Sequence, residues 1–307
     1  MAPIAVAVHG FGNIGKYTLQ ALETAPDMVC SGVIRRASSL GTKGADLRGV
    51  QDFPSLDALV AKAGMPQVAI LCGPSRHIPQ DAVAFLEAGL NTVDSYDIHT
   101  GIAELVESLD APARKMGRTA ISAAGWDPGS DSVLRALFEA MAPTGTSFTN
   151  FGRGRSMGHS VAARAIDGVA NATAITIPIG GGRHSRLVYV LAEKGASEEA
   201  IRAGIAQDPY FSHDPLEVRF VADLAALAAV ADESHGVLLE RTGASGQTSN
   251  QQIRFDMRIN NPALTAQILV SAARAATRMA PGSYTLIDVP MVSLLAGGRM
   301  ENIARLV

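Results

Sequence analysis

The chain has only two cysteines, Cys30 and Cys72, among its 307 residues. Each sits inside an apolar run, so no disulfide framework is available and a reducing, cytoplasmic setting is expected. The chain has no apolar run approaching the ~18 residues of a membrane span. Its opening stretch, MAPIAVAVHGFGNIG, has no basic segment and turns into glycines, which predicts neither secretion nor membrane anchorage. A strong charge of one sign is missing too: 26 Lys and Arg stand against 29 Asp and Glu, a net charge of −3. No general field exists to hold a nucleic-acid backbone, and nucleic acid is not an expected partner. The histidines, at 9, 77, 99, 159, 184, 213 and 235, show neither two-His helical spacing with an acid nor a Cys/His cluster, so no metal is expected. What is abundant is small and apolar, with 47% hydrophobic residues and 30 glycines, the composition of a compact protein long enough for about two domains.

Over the first ~120 residues short apolar runs alternate with helical patterns: IAVAV, KYTLQALETA, MVCSGVI, SLDALVAKAG, QVAILC, DAVAFLEAG, NTVDS and then TAISAA. Strands spaced by helices predict βαβ units and a Rossmann-type, doubly wound parallel sheet. From about residue 145 the texture becomes longer β-like runs, TSFTNFG, TAITIPI, SRLVYVLA, LEVRFVA, GVLLERT and QIRFDMRI, which predict a second α+β domain with a mostly antiparallel sheet. After Asn260 and Asn261 a proline opens the amphipathic segment PALTAQILVSAARAATRM, followed by the strand-like YTLIDV. The tail is expected to pack back on the first domain. The expected division is therefore 1–124 completed by 262–307 for dinucleotide binding, and 125–261 for substrate binding and dimerisation.

The strand IAVAVHG runs into GFGNIG, placing Gly10, Gly12 and Gly15 in a G-x-G-x-x-G pattern at a strand-to-helix turn. Gly10 permits the tight turn, Gly12 a close approach of pyrophosphate to the backbone, and Gly15 close helix–strand packing, while the helix N-terminus offers N–H groups to the anion. NAD-binding versions usually carry an acid at the end of the second strand. Here that strand ends in Arg35 and Arg36, which suit the 2′-phosphate of NADP; the alternative is a pair of solvated loop arginines. Cys72-Gly73-Pro74-Ser75 follows the strand VAIL at the carboxyl edge of the sheet, where ligands bind in such folds, and Cys72 reads as a small strand-end residue or a reactive thiol. The next two strands end in Asp94-Ser95-Tyr96-Asp97 and Gly125-Trp126-Asp127-Pro128-Gly129. Two acidic loops at one edge suit a cationic substrate group; Asp97 and Asp127 as helix caps is the competing reading.

Gly154-Arg155-Ser156-Met157-Gly158 matches the G-x-S-x-G nucleophile elbow, with Asp232 and His235 downstream in hydrolase order. The match is poor, because an elbow needs a parallel strand running directly into the serine, whereas glycines at 152 and 154 put a loop there among antiparallel-looking runs.

With these residues assembled, the chain resembles the meso-diaminopimelate dehydrogenase family over essentially its whole length. The strings that carry the resemblance are GFGNIG, VDSYDIH, SAAGWDPG, NFG followed by SMGHSVAARAI, RFDMRINNPALTAQ and a short central domain. It implies NADP-dependent, reversible oxidative deamination of the D-centre of meso-2,6-diaminopimelate to L-2-amino-6-oxopimelate and ammonia, by a cytoplasmic homodimer of lysine biosynthesis. It further implies cofactor contacts from Gly10, Phe11, Gly12, Asn13 and Ile14, from Arg35 and Arg36, and from Cys72, Gly73, Pro74 and Ser75. Ser95, Tyr96 and Asp97 lie beside the ribose and nicotinamide, and Pro128, Gly129, Ser130, Asp131 and Ser132 close over the cofactor. For substrate it implies Asp97 and Asp127 as the acids of the reacting centre, Trp126 and Phe151 as aromatic walls, Met157 and Gly158 as adjoining backbone, and Thr176, Arg186, His235 and Asn261 at the distal L-centre. Carboxylates suit an ammonium that must lose a proton as hydride leaves, and a guanidinium with hydroxyl and amide donors suits a distal carboxylate.

One departure stands out: similar family members tend to have proline and an apolar residue where this chain has Arg153 and Arg155. Extra cations there strengthen carboxylate binding, alter the accepted substrate or simply face solvent. The substrate reading thus extends to D-amino acids and 2-keto acids. A dehydrogenase of a related diamino acid and a non-catalytic NADP-binding regulator remain as alternatives, the latter leaving paired acids beside Trp126 without a purpose.

Overall fold

A computed structural model describes residues 2–42, 44–230 and 235–307, apart from the side chains of Ala45 and Met157. Asp232, the acid of the hydrolase pattern, lies outside the described residues. The chain forms two compact units, residues 1–136 with 262–307, and residues 137–261. Residues 125–136, placed in the second domain by the sequence pattern, belong to the first unit. The reason is that the Ala124 N–H donates to the Asp94 carbonyl at 2.7 Å, and Val133 packs into the first unit's core.

The first unit contains β1 (Ile4–His9), α1 (Asn13–Glu23), β2 (Met28–Ile34), β3 (Asp52–Phe53), α2 (Leu56–Ala63), β4 (Val68–Leu71), α3 (Ile78–Glu87), β5 (Asn91–Asp94), α4 (Ile102–Met116), β6 (Thr119–Ile121) and the start of α5 (Ser130–Met141). In the second unit follow β7 (Thr144–Phe151), β8 (Gly154–Arg155), α6 (Met157–Arg164), β9 (Val169–Gly180), β10 (Arg183–Ala192), α7 (Glu198–Gln207), β11 (Leu216–Phe220), α8 (Leu224–Val230), β12 (His235–Ser245) and β13 (Thr248–Ile259). The tail adds α9 (Asn261–Ala276), β14 (Gly282–Tyr284), α10 (Met291–Leu294) and α11 (Arg299–Leu306).

Seven parallel strands form the first sheet in the order β14-β6-β5-β4-β1-β2-β3. The short apolar runs read as strands because both faces are covered, so alternate residues enter different cores. Val6, Val8, Val68 and Ile70 pack with Leu19, Leu22 and the α9 residues Leu269, Val270 and Ala273. Ala7, Ala69 and Leu71 pack on the other face with Leu59, Ile78, Leu86 and Leu109. The order of the strands reverses at β1 and β4, so the loops after these two flank the switch point where such sheets leave a crevice.

The tail joins the first unit as expected, but its strand is not YTLIDV. Only Gly282–Tyr284 pairs with β6. Thr285 and Asp288 then form a reciprocal cap, with Asp288 Oδ2 accepting from the Thr285 N–H at 2.8 Å and its hydroxyl at 2.9 Å, which turns residues 286–288 into a 3₁₀ helix.

In the second unit one sheet has the order β11-β10-β9-β8 and the other β13-β12-β7. All pairs are antiparallel except β10 with β11. Helices α6 and α7 and the turn after α7 cover the four-stranded sheet, burying Ala163, Ile201, Ile205 and Phe211 against Ala174, Val188 and Val190. No helix among the described residues is long and apolar enough to cross a membrane.

Candidate active site

At the switch point a cleft of about 560 Å³ is lined by Phe11, Gly12, Asn13, Ile14, Arg35, Arg36, Cys72, Gly73 and Pro74, with Ser39 and Thr42 beside them. Gly10 adopts φ +92°, and a Cβ there would fall 2.9 Å from the Cys72 carbonyl carbon. A Cβ on Gly15 would stand 2.3 Å from the Gly10 oxygen. Both glycines are therefore demanded by the turn and its close packing. Gly12 differs, because its missing side chain would meet no protein atom within 4 Å. It is the N-cap of α1, and no side chain caps that helix, so the first-turn N–H groups are presented beside the cleft as they would be to an anion. This is a cradle that fits a pyrophosphate.

The two arginines after β2 have different surroundings. Arg35 is 7% exposed; its Nε donates to Asp52 Oδ2 at 2.7 Å, its Nη2 to Asp52 and the Thr42 carbonyl, and its guanidinium lies 5.6 Å from the Phe11 ring centre. Asp52 is held below the usual carboxylate range, since burial, which works the other way, is outweighed by Arg35 and the Gly41 N–H. Arg36 is exposed at the cleft. The solvated-pair reading thus fails for Arg35, and so does a simple clasp by two equivalent guanidiniums. Ser39 and Thr42 were not singled out from the sequence, although a hydroxyl-rich stretch directly after an arginine pair is a usable signal.

Cys72 is half-buried at the cleft wall, and burial pushes its thiol up to about 12 despite Thr18 Oγ1 at 3.6 Å from the sulfur, which favours the small strand-end residue over the reactive thiol. Ser75 donates to Asp97 Oδ1 at 2.6 Å, tying the loop after β4 to the one after β5. Asp97 is exposed, and neither the 3₁₀ turn that follows nor α4 has a side-chain cap, so the capping reading fails for it. Tyr96 is 7% exposed and its ring belongs to the apolar core, so the ring is withdrawn from the sheet edge. Ser95 packs close to Gly125.

Asp94, missed in the sequence, organises both acidic loops. Fully buried at the end of β5, it accepts from the Tyr96 N–H at 2.9 Å, the Ser122 hydroxyl at 2.8 Å and the Ala123 N–H at 3.1 Å. Ala123 has φ +53°, a conformation unfavourable for a residue with a Cβ and held here by that carboxyl. Burial pushes Asp94 upward against these three donors.

Trp126 is 7% exposed. Asp127 is 10% exposed at its side chain, and Arg135 on α5 stands 3.4 Å from its Oδ1 and 2.7 Å from Asp131 Oδ2. The Asp131 side chain is wholly buried. Burial drives it up to about 7, opposed by Arg135 and reinforced by the charge of Asp127. The loop of Pro128, Gly129, Ser130, Asp131 and Ser132 does not line the 560 Å³ cleft. Pro128, Gly129 and Ser132 instead border a smaller apolar cavity of about 120 Å³ with Ala123 and Leu286.

The second unit gathers its own group. Thr176 and Arg186 are register partners across β9 and β10, and Arg186 Nη1 donates to Thr176 Oγ1. Asp214, another residue missed in the sequence, accepts from Arg186 Nε at 2.7 Å. Beside them Gly154 pairs with Thr176 and Arg155 with Ile175, and the Ser156 N–H donates to the Ala174 carbonyl at 2.8 Å, so residues 154–156 run along β9, whereas Phe151 ends β7 opposite Val237 of β12. Phe151 is 47% exposed, Met157 and Gly158 open α6, and Arg153 and Arg155 lie between them in the chain. His235 opens β12, its side chain exposed, and Asn261 is half-buried at the start of α9.

Ser156 is not a nucleophile at an elbow. It occupies the N-cap position of α6, after a two-residue strand antiparallel to β9, without a side-chain cap, and its hydroxyl lies 2.8 Å from Nδ1 of His159, not in a triad with His235. Burial, with the nearby Arg186 charge, holds His159 below the ordinary histidine range. Among the described residues no group of three His, Cys, Asp or Glu is placed to hold a metal.

A glycine cradle at the switch point of a parallel sheet, with a cation after its second strand and paired acids at the same edge, defines an oxidoreductase built on a dinucleotide-binding fold. Comparison with known proteins narrows the class. Residues 125–182 match the family model of the diaminopimelic acid dehydrogenase C-terminal domain. The meso-diaminopimelate D-dehydrogenase of Bacteroides fragilis is 48% identical over 310 residues, covering 100% of both chains. The structure of C. glutamicum DAP dehydrogenase in complex with DAP aligns with a TM-score of 0.71 at 30% identity over 100% of both chains. That of an engineered D-amino acid dehydrogenase bound to NADP+ aligns with a TM-score of 0.69 at 28% identity, again over 100% of both. The chain belongs to the meso-diaminopimelate D-dehydrogenase family.

Proposed function

We propose that this protein carries out the reversible, NADP-dependent oxidative deamination of the D-centre of meso-2,6-diaminopimelate, giving L-2-amino-6-oxopimelate and ammonia, and that it also takes D-amino acids, with 2-keto acids in reverse. The observation that carries the reading is the 48% identity along the whole of both chains with the B. fragilis enzyme. The NADP+ of the engineered D-amino acid dehydrogenase supports the choice of cofactor.

In this reading the first-turn N–H groups of α1 hold the pyrophosphate, and Arg36, with the hydroxyls of Ser39 and Thr42, reads the 2′-phosphate while Arg35 braces that corner through Asp52. The bound nicotinamide supplies the hydride acceptor. Asp97 and Asp127 receive the substrate ammonium, and Asp127, the more enclosed of the two, takes its proton so that the amine lone pair can drive hydride departure. Water then adds to the iminium carbon with the same carboxylate as base. In the second unit Arg186, oriented by Asp214 and Thr176, keeps donors on its terminal nitrogens for the distal carboxylate. In the second unit Phe151 and the backbone of Met157 and Gly158 bound the substrate chain, and His235 and Asn261 meet the distal amino-acid group; in the first unit Trp126 walls the reacting centre. The reading extends to a cytoplasmic homodimer serving lysine biosynthesis, supported by the family and by two free thiols.

The test follows absorbance of the reduced cofactor with meso-, L,L- and D,D-diaminopimelate and with NADP or NAD. The meso isomer with NADP is expected to react and the L,L isomer to be inert. No reduction with meso, or equal rates with meso and L,L, overturns the reading.

A further inference from the structure

Asp127 does not stand alone. Four residues on, in the first turn of α5, Asp131 is completely buried while Asp127 retains 10% exposure, and Arg135, 34% exposed, reaches both. The two carboxyls share the Arg135 guanidinium, whose Nη2 lies 3.4 Å from Asp127 Oδ1 and 2.7 Å from Asp131 Oδ2. Asp131 is thus shielded from any substrate, yet coupled to the acid that meets one. Two carboxylates against one guanidinium leave a surplus negative charge in a poorly solvated place, and a single proton taken into the pair cancels it. The charged groups acting on Asp131 are Asp127 and Arg135, while Ser132 contributes a hydroxyl 3.4 Å from Oδ1. The neighbouring cavity wall from α4, the loop after β6 and the 3₁₀ turn after β14, at Ile102, Ala123, Thr285, Leu286 and Ile287, is uncharged.

We propose that Asp131 is a positioning residue that works through Asp127, storing the proton that Asp127 takes from the substrate and so restoring the Asp127 carboxylate within the same turnover. The inference rests on the dehydrogenase reading above. In the forward step an N–H bond of the substrate ammonium breaks and an O–H bond forms at Asp127. The proton passes to Asp131. The D-carbon is oxidised as its hydrogen leaves with the electron pair to the nicotinamide, which is reduced. Water adds its oxygen to the iminium carbon and gives its proton to the regenerated Asp127. The pair returns one proton to nitrogen as ammonia leaves and receives one from the hydroxyl as the carbonyl forms; two protons reach solvent as the products depart.

The test joins a titration that needs no turnover to a kinetic profile. Carbon-13 carboxyl NMR of the full-length chain is recorded for parent, Asp127→Asn and Arg135→Gln. The Asp131 signal is expected to titrate near 7 in the parent, lower in Asp127→Asn, where a like charge is lost, and higher in Arg135→Gln, where the cation is lost. Kinetically, Asp131→Asn should lower kcat by about tenfold or more with KM values for substrate and cofactor within about twofold, and should remove the rise of kcat through neutral pH. Arg135→Gln should move that rise to higher pH, which decides the matter if Asp131→Asn fails to fold. Parental kcat and pH profile in Asp131→Asn, or an Asp131 midpoint in the ordinary carboxylate range and unmoved by Asp127→Asn, overturns the proposal. Absence of any meso-diaminopimelate activity in the parent would instead overturn the dehydrogenase reading, leaving the titration to judge the pair by itself.

Discussion

Arg35 and Arg36 are adjacent and chemically identical, but the fold gives them opposite duties. Arg35 is spent on Asp52 and the Thr42 carbonyl, and Arg36 remains at the cleft surface. Arg36→Ala should raise KM for NADP by roughly 10- to 100-fold, the equivalent of one charge-assisted contact of about 1.5–3 kcal/mol, while leaving NAD nearly unchanged. Arg35→Ala should lower the Tm and weaken both cofactors alike, since it leaves Asp52 without its cation. Cofactor KM values and melting curves for the two variants check this; an equal loss for both cofactors in Arg36→Ala sinks it. At the other end, Arg186→Met should raise KM for the diacid strongly and spare D-alanine, because only the diacid has a second carboxylate to lose. The ratio of kcat/KM for the two substrates is the readout, and an unchanged ratio would move the distal contact to Arg153 or Arg155.

Among the elements, α9 shows how a tail becomes core. Its Arg274 is 4% exposed and donates through Nε and Nη2 to the two oxygens of Asp27, at 2.6 and 2.7 Å, directly before β2. These hydrogen bonds hold Asp27 below the usual carboxylate range, against a smaller effect of burial. A carboxyl depressed on folding contributes stability that is complete above its unfolded value near ~3.9 and is lost as pH falls through the lower folded value. Asp27→Asn should therefore cost on the order of 2 kcal/mol at neutral pH, with the Tm gap to the parent closing below about pH 4. A gap that stays constant from pH 7 to the acid limb would show that the pair adds nothing through its charge. The helical period of α9 was legible in the sequence, whereas YTLIDV misled because β-branched and aromatic residues mimic a strand until the Thr285–Asp288 cap turns the backbone.

At the scale of the whole molecule the chain leaves its first unit and comes back. Leu269, Val270, Ala272, Ala273, Leu286 and Val289 of the tail lie in the same core as Val6, Val8 and Ile70, and β14 adds an edge strand to the sheet. A chain ended after Asn261 would expose one face of that sheet to water, a loss far exceeding the usual margin of stability. Such a truncation should show no cooperative melt for the first unit and no NADP binding, as followed by circular dichroism and by cofactor fluorescence. A truncated chain that melts cooperatively and binds cofactor would show that the tail is dispensable.

The alternation of apolar runs, the glycine spacing and the change of texture near residue 145 are local patterns, and each reads directly as backbone conformation and covered faces. They sufficed for the parallel sheet, the nucleotide turn and the acids at the sheet edge. The partners of those residues were not legible. Arg35 meets Asp52, Asp94 meets Ser122 and Ala123, Asp127 shares Arg135 with Asp131, and Arg186 finds Asp214. An ion pair is chosen by distance and burial once strands have been set side by side, and neither quantity is written in the order of residues along a chain. The order of residues places the charged and polar groups at the carboxyl edge; folding in three dimensions commits them to one another, because that depends on which charges the fold withdraws from water.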